Sequence, residues 1–96
     1  MVAYSGGTAF NFPRQAANFA IYRDSQRKMI EVAEAAGATV LMSNHTEFDR
    51  AYDRVRIAQL PRAAGEKHPY ETDTATVARY FEMMVNCAEA QRLLTQ

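Results

Sequence analysis

The chain has 96 residues with 11 basic and 11 acidic side chains, so its formal net charge is zero. This length allows one small domain or a piece of a larger one. The charge balance argues against a surface that binds nucleic acid or an anionic membrane. The hydrophobic content of 48% is typical of a soluble globular protein. No apolar run approaches the roughly 20 residues needed to span a bilayer.

The single cysteine excludes an intrachain disulfide and is compatible with a reducing compartment. The first residues lack the basic and apolar pattern of a signal peptide, which slightly favours the cytoplasm. The chain opens directly on a strand pattern, and we interpret this as the start of a fragment.

The chain begins with a strand pattern at Val2–Ser5, closed by the turn-forming pair Gly6-Gly7. In the loop that follows, we expect the aromatic rings of Phe10 and Phe12 to pack inward. Pro13 suits the first turn of a helix, where its missing N–H costs nothing.

A helix is predicted over residues 14–36, ending at Gly37 because glycine readily takes the left-handed conformation. Its predicted buried face has the three-four spacing of a helix and comprises Phe19, Tyr22, Gln26, Met29, Ala33 and Ala36, widened by Ile30 and Val32. A second strand is predicted over residues 39–42. Its unbroken apolar character predicts burial on both faces of a covered sheet.

The second half of the chain predicts two further helices. The first is capped by Asn44 or Thr46 and ends at Pro61, with a buried face of Phe48, Tyr52, Val55 and Ala58. After a loop, Thr72 or Asp73 caps the last helix. Its predicted apolar stripe comprises Val77, Phe81, Met84, Cys87 and Ala88.

The element order is therefore strand, helix, strand, helix, helix, which predicts a helix-rich α/β fold with two short strands in one domain over residues 1–96. A strand–helix–strand unit favours a right-handed parallel crossover. Two strands do not form a self-sufficient sheet, and each would present an open edge. We therefore expect the chain to associate with another copy of itself or with a missing portion of a larger protein.

The most informative segment is Ser43-Asn44-His45, where the second strand pattern stops and a helix-start pattern follows. Ligands and metal ions are often held at the carboxyl ends of strands in open α/β sheets. His45 is thus a candidate metal ligand, with a helix-capping or hydrogen-bonding histidine as the alternative. Asp49 could share a helix face with His45, although a carboxylate that favours the helix dipole is the simpler interpretation.

The other candidate residues favour structural roles. His68 precedes a proline in a loop, where a histidine is usually solvated or bonded to nearby backbone. Cys87 lies on a predicted apolar stripe and is interpreted as a small core residue. Ser5-Gly6-Gly7-Thr8 lacks the further residues of a phosphate-binding or dinucleotide-binding loop and is interpreted as a tight turn.

Four segments together resemble metallo-β-lactamase-fold hydrolases. They are Val-Ala-Tyr-Ser-Gly-Gly-Thr-Ala-Phe-Asn-Phe at positions 2–12, Tyr-Arg-Asp-Ser at 22–25, Leu-Met-Ser-Asn-His-Thr-Glu-Phe-Asp at 41–49 and Gly-Glu-Lys-His-Pro-Tyr at 65–70. They occur in the family's order, and the match as a whole extends over nearly the whole chain. The likeness is to the subclass whose zinc ligands are all His and Asp, and to related hydrolases.

The resemblance implies that His45 is the last metal-binding histidine of a zinc centre. Its other ligands would come from an N-terminal half with the motif His-x-His-x-Asp-His, which this sequence lacks. The implied reaction is hydrolysis of a lactam, lactone, thioester or related bond by a zinc-bound hydroxide. The chain would then be the C-terminal part of an αββα sandwich, inactive alone, with no catalytic residue besides the metal ligand. Two alternatives stay open: a small self-associating, non-enzymatic interaction module, and one half of a split hydrolase.

Overall fold

The computed structural model describes residues 1–6, 10–43 and 50–96. These residues form a mixed α/β fold of two short strands and three helices, as the sequence predicts. In chain order the elements are β1 (Val2–Ser5), α1 (Ala16–Ala35), β2 (Val40–Ser43), α2 (Ala51–Ala58) and α3 (Thr74–Leu94).

The two strands pair in parallel, with Val2 opposite Val40 and Ser5 opposite Ser43. The predicted parallel crossover is therefore confirmed, and β2 lies one residue later than predicted. The residue before β2, Thr39, contacts a later segment of the chain. The N–H and the hydroxyl of Thr72 both donate to the Thr39 carbonyl at 2.8 Å.

Only one face of this sheet is covered by the described residues. Ala3 is buried and Leu41 packs against the core, whereas Val2 and Tyr4 alternate to the other face and are 51% and 58% exposed. Met42 is also exposed. The prediction that β2 is buried on both faces is wrong, because the helices form a single layer over the sheet.

Helices α1 and α3 pack along each other and supply most of the core. The largest fully buried side chains are Phe19 of α1 and Val77 and Phe81 of α3. At the far end of the pair, the guanidinium of Arg14 donates a hydrogen bond to the side chain of Gln91. Because the start of α1 meets the end of α3, the two helices are antiparallel.

The ends of both long helices follow local sequence rules. Gly37 has φ of +66°, and the N–H groups of Gly37 and Ala38 donate to the carbonyls of Glu34 and Ala33, which is a Schellman motif. Asp73 caps α3 by accepting a hydrogen bond from the Thr76 N–H at 2.7 Å. Hydrogen bonding from the Thr76 side chain first, and then from the Thr76 backbone, lowers the pKa of Asp73.

Three predictions about the long helices are wrong in detail. Helix α1 begins at Ala16 instead of residue 14, and Ala36 is exposed. On α3 Cys87 is exposed, whereas Val85 is buried. One residue corresponds to about 100° around a helix, so Cys87 lies well to the side of Ala88, a fully buried member of the stripe.

The predicted buried face of α2 is also wrong. No residue of the helix is buried, and Tyr52 and Val55 are 74% and 51% exposed. Arg50, which immediately precedes α2, has φ of +55°. The predicted caps Asn44 and Thr46, together with Phe48, lie outside the described residues.

Candidate functional site

The candidate metal ligand His45 and the nearby Asp49 lie outside the described residues. The strand that leads to His45 is described. β2 ends at Ser43, which is buried and paired with Ser5 at the end of β1. The carboxyl ends of two parallel strands therefore lie side by side, two residues before His45.

His68 is described and makes local contacts. Its Nδ1 accepts a hydrogen bond from the Tyr70 N–H at 3.2 Å, and its ring stacks on that of Tyr70 with centroids 6.1 Å apart. This geometry agrees with the interpretation of His68 as a loop histidine bonded to nearby backbone.

A catalytic zinc ion usually requires three protein ligands and an open coordination position. Within residues 1–6, 10–43 and 50–96 no three His, Cys, Asp or Glu side chains are grouped so that they could hold a metal ion. The described residues therefore do not fit a complete zinc centre by themselves. Zinc binding at His45 stays a prediction, because that residue and Asp49 are not among them.

The other sequence candidates are only partly described. Gly6 ends β1 in a bend with ordinary backbone geometry, and the rest of the predicted turn, Gly7 and Thr8, lies outside the described residues. Cys87 is exposed on α3, so its predicted role as a core residue is wrong.

An aromatic cluster lies beside the start of α1, and its two loop members confirm the prediction that they pack inward. Phe10 makes edge contacts with Phe19 and Tyr22, at centroid distances of 5.4 and 5.0 Å, and Phe12 contacts Phe19 at 5.1 Å. Burial is the largest cause that raises the pKa of Tyr22 to about 12, and the phenol of Tyr80 adds to it. The phenol of Tyr22 therefore stays neutral at physiological pH.

Sequence reasoning missed a charged network between α1 and α3. Glu89 accepts from Arg23 Nη1 at 2.6 Å and from Arg92 Nη2 at 2.6 Å. These two hydrogen bonds, that of Arg92 first, lower the pKa of Glu89 to about 2. The three-residue spacing of Glu89 and Arg92 could have predicted an ion pair between them on one helix face. The ion pair with Arg23 depends instead on how the two helices pack.

Sequence reasoning also missed a basic groove between α2 and the loop after it. The groove has a volume of about 450 Å³ and is lined by Arg50, Arg54, Arg62 and Lys67, by the carboxylates Asp53 and Glu66, and by Ile57, Leu60, Pro61 and Pro69. The four-residue spacing of Arg50 and Arg54 is visible in the sequence, but this spacing alone does not predict a groove. We call this feature the basic groove.

No helix of the described residues is both long enough and apolar enough to cross a membrane. Comparison of the chain with protein-family models, with curated proteins and with solved structures finds no match. The relationship to metallo-β-lactamase-fold hydrolases therefore stays a prediction from the four segments of the sequence.

Proposed function

We propose that the chain is the C-terminal part of a zinc-dependent hydrolase of the metallo-β-lactamase fold, in which His45 supplies one metal ligand. The observation that carries the proposal is the parallel pairing of β1 and β2, which ends at Ser5 and Ser43. His45 follows this edge by two residues, in the position where α/β sheets commonly hold metal ions. The four resembling segments support the same assignment.

The proposal includes inactivity of the chain alone. The described residues contribute no complete ligand set, and the sequence contains only two histidines. One histidine cannot hold and activate a zinc-bound water without further ligands. We therefore assign no hydrolytic step and no catalytic residue to residues 1–96.

The exposed face of the sheet supports the proposal that a further layer of structure packs on it in the complete hydrolase. Val2, Tyr4 and Met42 lie on the side away from the helices. In an αββα sandwich a second sheet covers such a face, and apolar residues on an uncovered sheet face are candidates for association. The proposed partner is the N-terminal half of the hydrolase or, in its absence, a second copy of this chain.

Calorimetric titration with zinc tests the role of His45. We expect weak binding by the chain that is lost in His45→Ala and retained in His68→Ala, the matched control with the other histidine removed. Equal zinc binding by the chain and the His45→Ala variant would overturn the proposed ligand. Absence of zinc binding in the presence of an added polypeptide carrying the His-x-His-x-Asp-His motif would overturn the wider assignment.

An activity assay tests the incompleteness of the site. With zinc added, we expect no turnover of lactam, lactone or thioester substrates above the rate of the uncatalysed reaction. A robust rate that disappears in His45→Ala would show that one chain builds a complete centre and would contradict the proposal.

A second candidate function is that of a self-associating interaction module without enzymatic activity. The exposure of Tyr52 and Val55, three residues apart on one side of α2, favours it. Sedimentation analysis of the chain and of Val55→Glu tests it. Concentration-dependent association that Val55→Glu weakens, with no zinc binding by the chain, would favour the module over the hydrolase.

A further inference from the structure

We propose that the basic groove between α2 and the loop after it binds a small organic oxyanion, a phosphate or carboxylate attached to an apolar body. Arg54 is the principal contact in this proposal. The inference goes beyond the proposed hydrolase function, because it uses no metal ion and no residue of the segment around His45.

The first argument is the charge of the groove. Four cationic side chains and two carboxylates line it, which leaves an excess of two positive charges. Both carboxylates already have hydrogen-bonding or ion-pair partners in the protein. Asp53 Oδ2 lies 3.3 Å from Arg50 Nη2, and Glu66 Oε2 accepts the Ala63 N–H at 2.9 Å. The excess positive charge therefore resides on the other cations, and it favours an anionic ligand.

The second argument concerns the contacts and the unmet hydrogen bond of the Arg54 guanidinium. Its guanidinium carbon lies 5.1 Å from the centre of the Tyr70 ring, and Tyr70 is buried. This cation–π contact holds the guanidinium in place. Its Nη1 is buried and has no hydrogen-bond acceptor among the residues that the structure describes. A buried donor without an acceptor is unfavourable, and a small adjustment toward an oxyanion in the groove would satisfy it with a charge-assisted hydrogen bond.

The third argument concerns the rest of the ligand. A volume of about 450 Å³ is within the range of sites for small organic molecules. Ile57, Leu60 and Pro69 add apolar walls to the groove. A bare inorganic ion would leave these walls exposed to water, whereas an aromatic or alkyl body would cover them. The groove therefore favours an organic anion over inorganic phosphate.

Amide chemical-shift titrations test the proposal with phenyl phosphate, benzoate and inorganic phosphate as three separate probes. The titrations contain EDTA, so that a metal ion at His45 cannot contribute. We expect saturable shifts confined to amides of residues 50–70, with tighter binding of the preferred organic anion than of inorganic phosphate. Comparison of phenyl phosphate with benzoate distinguishes a phosphate from a carboxylate head group.

Three variants make the test specific. Arg54→Gln should weaken binding by about tenfold or more, because it removes a charge-assisted hydrogen bond. Lys67→Gln should weaken binding by a few-fold through the loss of one nearby charge. Arg27→Gln is the matched control: Arg27 pairs with the exposed Asp24 on α1 at 3.6 Å and does not line the groove. It should bind as tightly as the unmodified chain.

The absence of saturable shifts up to about 10 mM of each organic probe would overturn the proposal. So would equal affinity of the Arg54→Gln and Arg27→Gln variants. Unchanged amide signals of α3 report that Arg54→Gln is folded. If the α3 signals change in Arg54→Gln, that variant is not informative, and Lys67→Gln is compared with Arg27→Gln instead. Weaker binding by Lys67→Gln than by Arg27→Gln supports the proposed site. Equal binding by these two variants overturns the proposal.

Discussion

Arg23 of α1 and Glu89 of α3 are joined by a hydrogen-bonded ion pair in which Nη1 lies 2.6 Å from Oε2. Arg92, one turn after Glu89, binds the same carboxylate through Nε at 2.9 Å and Nη2 at 2.6 Å. One carboxylate therefore receives two guanidinium groups, one from each long helix. This arrangement links the two helices that form most of the core, and its charge-assisted hydrogen bonds require an ionised Glu89.

The first prediction concerns acid unfolding. The pKa of Glu89 is lowered from 4.5 to about 2 by its two arginine partners. A carboxyl group with a lowered pKa in the folded state contributes stability above its unfolded pKa, and the contribution is lost as the pH falls toward the folded value. Thermal unfolding measured between pH 5 and 2 should therefore show a steeper fall in Tm for the unmodified chain than for Glu89→Gln.

Asp24 provides the control for this prediction. It also pairs with Arg23, at 3.0 Å, but its side chain is 61% exposed. Asp24→Asn should leave the dependence of Tm on pH close to that of the unmodified chain, since exposed ion pairs contribute little. Parallel pH profiles for the unmodified chain and Glu89→Gln would contradict the prediction.

The second prediction compares two aromatic residues. Phe81 of α3 is fully buried in the core, whereas Tyr52 of α2 is largely exposed. Phe81→Ala should lower the free energy of unfolding by about 3–5 kcal/mol, because it removes buried apolar surface and leaves a cavity. Tyr52→Ala should change it by about 0.5 kcal/mol or less. Urea unfolding followed by circular dichroism measures both, and similar losses for the two variants would show that α2 is packed as tightly as the core.

The third prediction concerns Gly37, which ends α1 with φ of +66°. A Cβ at this position would meet nothing within 4 Å, so the cost of Gly37→Ala is conformational and not steric. It should lower the free energy of unfolding by about 1–2 kcal/mol. Gly6→Ala is the control, because its Cβ would make only an ordinary contact of 3.8 Å with Tyr4. Equal effects of the two substitutions would argue against a left-handed requirement at Gly37.

The fourth prediction concerns Gln26, a buried polar residue of α1. Its Oε1 is buried and accepts no hydrogen bond within the described part of the chain. Because an unsatisfied buried acceptor is unfavourable, Gln26→Met should leave the free energy of unfolding unchanged or raise it by about 1 kcal/mol. Gln59→Met, at an exposed site after α2, should have no effect. A clear destabilisation by Gln26→Met in urea unfolding would indicate that Gln26 has a partner that matters to the fold.

Local sequence signals predicted the ends of elements well. Asp73 was one of two expected caps of α3, and Gly37 was the expected end of α1. Both depend on the conformation of a single residue and its near neighbours. The strand Val2–Ser5 and the parallel pairing also followed from the sequence, because an amphipathic helix between two strand patterns favours a parallel crossover.

Predictions about which side chains are buried were less successful where no partner element was known. Tyr52 and Val55 have the spacing of a buried face, but the described residues place no layer over them. Cys87 lies beside Ala88 in the sequence and yet faces outward. Hydrophobic spacing shows which residues share a face of a helix, but burial requires a second element to contact that face.

The amino-acid sequence by itself determined the α/β class, the order of the elements, the Asp73 cap of α3 and the Gly37 end of α1, because these depend on hydrophobic periodicity and on short-range hydrogen bonds. Only the tertiary structure decided that Glu89 joins Arg23 across two helices and that four basic residues surround one groove. Helix packing and the path of a loop bring these groups together. The distances between residues of different elements cannot be read from the spacing of residues within any one element.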